Sequence, residues 1–296
     1  MKKDFILSCE STVDMPYSYC QERDLKVMFY SYYVNDQAYE DDMGRNKEAF
    51  DRFYGFISSG NVPKTAQLNE QQYLDYLEPL LNEGDVLHIV FGTGMTESYH
   101  NAVLAAEELR KKFPERKLVV IDSTCSSSGY GLIVDDAADL RDQGKSLDEI
   151  AEWLETNKLN LHHQFYSTTL KYFRKSGRVS MATAFFGEIL NICPIMHLNK
   201  AGRIIAYSKV IGKKRAAQRT VDEMLAHAKN GKNYSGKCFI SHSNVLADAE
   251  FMRDKIKENF PDIKDVRIFD IGTIIAAHTG PGTVAVFFWG DERSEK

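Results

Sequence analysis

Val86-Leu87-His88-Ile89-Val90-Phe91 runs directly into Gly92-Thr93-Gly94-Met95-Thr96, and a helix-like stretch continues from that turn through Arg110. A mostly apolar run without alternation is expected of a strand buried on both faces, as in a parallel sheet covered by helices. The same grammar repeats on both sides of it. Asp4–Ser8 is a short apolar strand that ends in the polar turn Glu10-Ser11-Thr12, and Leu118–Ile121 is a second buried strand that leads through Asp122–Ser128 into a helix. Lys26–Val34 reads as one further strand, followed by an acidic loop, Asp36–Gly44. Helices are expected at Lys47–Ile57, at Gln71–Leu81 behind the cap Asn69, and after the capping box Ser146-Leu147-Asp148-Glu149. Strand, turn and helix in alternation predict an α/β/α layer domain with a parallel sheet.

Beyond about Leu159 the pattern changes. Asn199-Lys200-Ala201-Gly202 separates Ile195–Leu198 from Ile204–Tyr207, which predicts an antiparallel hairpin. Helices are expected at Lys213–Ala228 and Val245–Asn259, and strands at Cys238–Ser241, Val266–Asp270 and Thr283–Trp289. The fold class is therefore α/β in two domains. Residues 1–159 form the parallel-sheet domain, and residues 160–296 an α+β domain with a mainly antiparallel sheet.

Composition narrows the function classes. The 296 residues are 43% hydrophobic and 27% charged, and 37 basic against 42 acidic residues give a net charge of −5. That balance speaks against a nucleic-acid partner, which favours a basic face. No stretch approaches the length of an apolar membrane span, and the apolar run Phe5–Leu7 is too short for a signal peptide. Cys9, Cys20, Cys125, Cys193 and Cys238 form no C-x-x-C pair and have no His at metal-ligand spacing. Reduced thiols in the cytoplasm, with no integral membrane association, are the expectation.

Polar clusters fall in or beside turns after the buried strands: Ser11-Thr12, Lys64-Thr65-Ala66-Gln67, Gly92–Thr96 and Asp122–Ser128. Ligands of parallel sheets bind outside the carboxyl ends of strands, and free N–H groups at a helix start suit an anion. Each Ser/Thr turn alone is better explained by helix capping than by a ligand. Gly92-x-Gly94 is no nucleotide loop, because no Walker Lys-Ser/Thr follows and Glu97 replaces the third Rossmann glycine. The second half adds Ser176-Gly177-Arg178-Val179-Ser180 and His278-Thr279-Gly280-Pro281-Gly282. An Arg at a turn and a lone His beside an apolar run are, by default, a surface residue and a structural one. From the residues alone the reading ends at a two-domain α/β protein with an anion site.

In their order these clusters resemble the DegV family over essentially the whole chain. Glu10-Ser11-Thr12-Val13-Asp14 is similar to its opening Asp-Ser-Thr turn, and Thr65-Ala66-Gln67-Leu68-Asn69 loosely to its Thr-Ser-Gln-Pro-Ser segment. Gly92-Thr93-Gly94-Met95-Thr96-Glu97-Ser98-Tyr99 resembles its Ser-Ser-Gly-Leu-Ser-Gly-Thr-Tyr loop. Asp122-Ser123 with Ser127-Ser128-Gly129, then Gly177–Ser180, then His278–Gly282, follow in family order.

The resemblance implies a carrier, not an enzyme, that binds one long-chain fatty acid such as palmitate, stearate or oleate, needs no cofactor, and passes the acid to a separate fatty acid kinase. It implies that Thr65 and Thr93 hold the carboxylate, with Thr96 as the alternative donor, the Gly94 amide assisting, and His278 and Arg178 supporting from the second domain. Phe185, Phe186 and Ile189, in a dense apolar segment, are the candidates for lining the acyl tunnel. Ala66, Leu68 and Gly92 depart from the family pattern, and Ile211 stands where members tend to carry an Arg. The competing expectation is a hydrolase or phosphotransferase using Thr65, Thr93 and His278, which requires the imidazole within hydrogen-bond reach of a hydroxyl.

Overall fold

The computed structural model describes residues 4–179 and 191–295. The segment holding Phe185, Phe186 and Ile189 lies outside the described residues. Strands β1 (Phe5–Glu10), β2 (Lys26–Met28), β3 (Ser31–Val34), β4 (Gln37–Glu40), β5 (Lys64–Thr65), β6 (Asp85–Val90) and β7 (Leu118–Asp122) come from the first half. Strands β8 (Leu161–Ser167), β9 (Ile192–Leu198), β10 (Ile204–Ile211), β11 (Lys237–His242), β12 (Asp265–Asp270) and β13 (Thr283–Trp289) come from the second.

The expected parallel sheet is present, in the order β2-β1-β6-β7. Its strands are buried on both faces because helices cover them, which is why Val86–Val90 carries no polar alternation. The second sheet runs β10-β9-β8-β13-β11-β12 and is antiparallel except where β11 pairs with β12. Between the two sheets lies the helix Ser127–Asp142, with Leu132, Ile133 and Val134 fully buried. Its Asp135, Asp136 and Asp139 are paired with Lys237, so the helix carries charge only where a partner meets it. A Cβ on its Gly129 would collide with the imidazole of His163 on β8, so glycine there lets helix and sheet close up.

Three expectations needed correction. Lys26–Val34 is two strands, because Tyr30 breaks the ladder: its N–H donates to the Ser11 hydroxyl at 3.2 Å and its carbonyl accepts from Asp41 N–H at 2.9 Å. The chain then leaves the parallel sheet and builds a small antiparallel one, β4-β3-β5. The loop Asp36–Gly44 accordingly contains β4, reached through a two-residue turn in which Asn35 and Asp36 both have positive φ, the geometry that suits a twisted hairpin. Strand β8 was not anticipated at all. It is buried throughout and sits at the centre of the second sheet, although His162, His163 and Gln164 make its sequence read as polar.

Candidate ligand-binding site

A cavity of about 340 Å³ opens between the two sheets, a volume typical of small-molecule sites. Its walls are mostly apolar. Phe165 on β8, Leu198 on β9, Ile204 on β10 and Phe287 on β13 come from the second sheet, and Phe91 and Met95 from the loop after β6. Ile274 and Ile275 come from the short helix Thr273–Thr279, which the apolar run Ile271–Ala277 encodes.

Ser126, Ser127, His163 and Thr283 add polar groups to that wall, and two further places match the expected head-group residues. Thr65, held on β5 by pairing with Tyr32, places its Oγ1 2.7 Å from Nε2 of His278, in the last turn of the same short helix. Burial, and then the charge of Arg178, pushes the His278 imidazolium down to a pKa of about 4, so the ring is neutral at pH 7. In the tautomer with hydrogen on Nε2 the ring donates to Thr65, and the Thr65 hydroxyl hydrogen is left for an anion. Arg178 also lines the cavity. It follows Gly177, whose left-handed backbone (φ 66°) ends the helix Lys171–Ser176, and its guanidinium turns back to the Ser176 carbonyl at 2.5 Å.

The second place is Thr96. Its Oγ1 lies 2.9 Å from Ser98 Oγ and accepts from Ser98 N–H at 3.3 Å. Ser98 Oγ in turn accepts from Leu68 N–H at 3.2 Å and lies 2.9 Å from the Tyr30 hydroxyl oxygen. In the Thr96–Ser98 bond either hydroxyl can donate, so a ligand carboxylate that accepts from Thr96 leaves Ser98 to donate back to it. The chain of hydroxyls is anchored on Glu10, a fully buried carboxylate that accepts from Phe91 N–H at 2.9 Å and from the hydroxyls of Tyr73 and Tyr30. Burial, and then the charge of Glu10, push the Tyr30 phenol well above its ordinary range, which keeps it a donor.

Thr93 and Gly94 are placed differently from the expectation: neither lines the cavity. Thr93 donates its hydroxyl to Asp122 Oδ2 at 2.6 Å and its N–H to Asp122 Oδ1 at 3.1 Å. The anion held by the Gly92–Thr96 turn is thus the protein's own β7 carboxylate. Gly94 is packed against the β9–β10 hairpin so closely that a Cβ would run into the Gly202 carbonyl. Thr65, Thr96, Arg178 and His278 are brought together on one cavity. The Tyr30–Ser98–Glu10 network was missed. Its one sequence signal was a Glu closing a buried strand, with Ser98 already inside the quoted loop. All five cysteines are buried free thiols, and burial pushes those of Cys20 and Cys125 up to about 12, which leaves them poor nucleophiles. No helix among the described residues is long and apolar enough to cross a membrane.

The family model for DegV, described as an uncharacterised protein family, matches residues 7–291. A DegV domain-containing protein of Clostridium perfringens is 31% identical over 98% of this chain and 99% of its own length. A DegV lipid-binding protein of Thermotoga maritima, 24% identical, superposes with a TM-score of 0.85 over 98% of this chain and 100% of its own. The fatty acid kinase B3 protein of Streptococcus pneumoniae, solved loaded with linoleic acid, is 20% identical with a TM-score of 0.82 over 97% and 99% of the two chains.

Proposed function

The chain belongs to the DegV family, and on that premise we propose that it carries a single long-chain fatty acid in the cavity between its sheets. One observation carries the reading: a mostly apolar cavity whose wall brings together the Thr65 and Thr96 hydroxyls, the neutral His278 imidazole and the Arg178 guanidinium. Affinity then comes from the tail. A sixteen-carbon acid removes about fourteen methylenes from water at roughly 0.8 kcal/mol each, a gross gain of about 11 kcal/mol before association and ordering costs. The hydroxyls decide which end of the acid faces them. Thr65 and Thr96 donate to the carboxylate, in place of the expected Thr93, and Arg178 supplies positive charge nearby. Residues up to 159 bear the head-group hydroxyls, and residues from 160 cover the acyl chain.

Neutral donors hold a carboxylate without locking it into an ion pair, which suits an acid that is handed on and phosphorylated elsewhere. The name of the S. pneumoniae relative supports a kinase as the recipient. The enzyme reading has one observation in its favour, since Thr65 and His278 meet the distance that a nucleophile and its base require. Against it, no carboxylate among the described residues pairs with His278, and a ring with a pKa near 4 is a feeble base. Equilibrium dialysis of the delipidated protein with labelled oleate tests the carrier reading. Saturable binding at one acid per chain, weakened about fivefold to tenfold by Thr65→Ala, is expected for the loss of one hydrogen bond. No saturable binding, together with turnover of an ester or phosphoester, moves the assignment to the enzyme.

A further inference from the structure

On the face of the second sheet where β8 begins and β13 ends, His162, His227 and Asp291 come together from three separate segments. His162 is the second residue of β8, His227 ends the helix Lys213–His227, and Asp291 follows β13. His162 Nε2 lies 2.9 Å from Asp291 Oδ1, and His227 Nδ1 lies 3.1 Å from the same oxygen. The two imidazoles are stacked, with centroids 5.1 Å apart and planes at 20°, so both nitrogens face the carboxylate from one side. All three ligand atoms lie within 4.8 Å of one another. From this constellation we propose that the protein binds a divalent transition-metal ion of the zinc type through His162 Nε2, His227 Nδ1 and Asp291.

The donor set selects the ion. Two imidazoles and one carboxylate suit zinc-like cations, whereas calcium and magnesium take oxygen ligands. Tetrahedral bonds of about 2.0–2.1 Å put ligand atoms about 3.3 Å apart, so each imidazole nitrogen needs to part from Asp291 Oδ1 by only a few tenths of an ångström. The backbone already holds the ligand-bearing segments together: Asp291 N–H donates to the His227 carbonyl at 3.0 Å, and Gly290 N–H to the Asn160 carbonyl at 2.8 Å. Entry is open, because Asp291 is 60% and His227 39% exposed, while His162 forms the buried wall.

An outer partner is in place as well. Glu223, one helical turn before His227, puts Oε2 3.7 Å from His227 Nε2 and is itself held by Arg219 at 2.5 Å. When the metal takes the Nδ1 lone pair the proton resides on Nε2, and Glu223 is the carboxylate that needs to close by about half an ångström to accept it and orient the ring. The Asp291 carbonyl, 2.9 Å from His162 Nε2, leaves water as the remaining ligand or joins as a fourth. None of the three ligands lines the cavity, and the role of the site is to clasp the end of the helix, the start of β8 and the chain after β13.

The test is titration calorimetry of tag-free, chelator-treated full-length protein with zinc chloride, alongside His227→Ala and Glu223→Gln. His227 is 39% exposed and Glu223→Gln keeps the size of a side chain only 14% exposed, and circular dichroism checks the folding of both. The proposal expects one zinc per chain, a rise in melting temperature on adding zinc, affinity about 100-fold lower in His227→Ala and about 10-fold lower in Glu223→Gln. Should His227→Ala not fold, Glu223→Gln decides alone. Wild-type protein that takes up no zinc, or variants that bind it as wild type does, overturns the proposal.

Discussion

Thr65 Oγ1 and His278 Nε2 are 2.7 Å apart across 213 residues of chain, and no charged group sits between them. The pair bridges the two halves: Thr65 is carried by a two-residue strand of the small antiparallel sheet, and His278 by a helix that follows the last strand but one. Which atom donates decides what the pair can do. A carrier needs hydrogen on Nε2, so that Thr65 keeps its own for the ligand; a nucleophile–base pair needs the Nε2 lone pair. Nitrogen-15 NMR of labelled protein loaded with oleate should therefore show His278 as the neutral Nε2–H tautomer at pH 7. The Nδ1–H tautomer speaks for the enzyme.

The same ring makes stability depend on pH. His278 has a pKa of about 4 when folded against an ordinary 6.5, chiefly through burial. Between those values only the unfolded chain takes up the proton, so the contribution of a neutral buried His278 is complete above pH 6.5 and is lost as pH falls toward 4. His162, also at about 4 through burial, acts in the same window. Denaturant unfolding of His278→Gln should lose about 2–3 kcal/mol less than wild type between pH 7 and pH 4. Identical losses would show that His278 is not held neutral by the fold.

Asp41 should behave in the opposite sense. It is buried, accepts from Thr273 Oγ1 at 2.8 Å, and has a second oxygen without a partner; burial raises its pKa to about 6. Its charged form is therefore a burden to the folded state above pH 6, a burden that disappears below its ordinary 3.8. Asp41→Asn should stabilise the protein by about 1–3 kcal/mol at pH 8 and by nothing near pH 3.5, read from urea midpoints.

Thr93 and Thr96 separate structure from ligand contact. Thr93→Ala removes a 2.6 Å bond to the Asp122 carboxylate and should cost about 1.5–3 kcal/mol of stability with oleate affinity nearly unchanged. Thr96→Ala should weaken oleate binding about fivefold and leave stability within about 1 kcal/mol. The reverse pattern would return the head group to Thr93.

The legible parts of this chain were those where one local pattern had one explanation. Val86–Phe91 and Leu118–Ile121 could only be buried strands, and Asn69 and Ser146 do cap helices with full capping boxes. Strand β8 was hidden because its imidazoles and amide are satisfied by tertiary partners, as when His163 Nε2 accepts from Ser126 N–H at 3.1 Å. The Asn35-Asp36 turn was a readable hairpin signal inside a loop judged only by its acidity. In the site, Thr65, Thr96, Arg178 and His278 were identifiable from motif order, but the capture of Thr93 by Asp122 depends on β6 and β7 lying side by side, which no local spacing records.

The most direct measurement is native mass spectrometry of the delipidated protein reloaded with a mixture of C14 to C18 fatty acids, beside Thr65→Ala/Thr96→Ala. The account predicts a single fatty acid adduct on the wild-type chain and a depleted adduct on the double variant. A folded wild-type chain that carries no fatty acid after loading would contradict it.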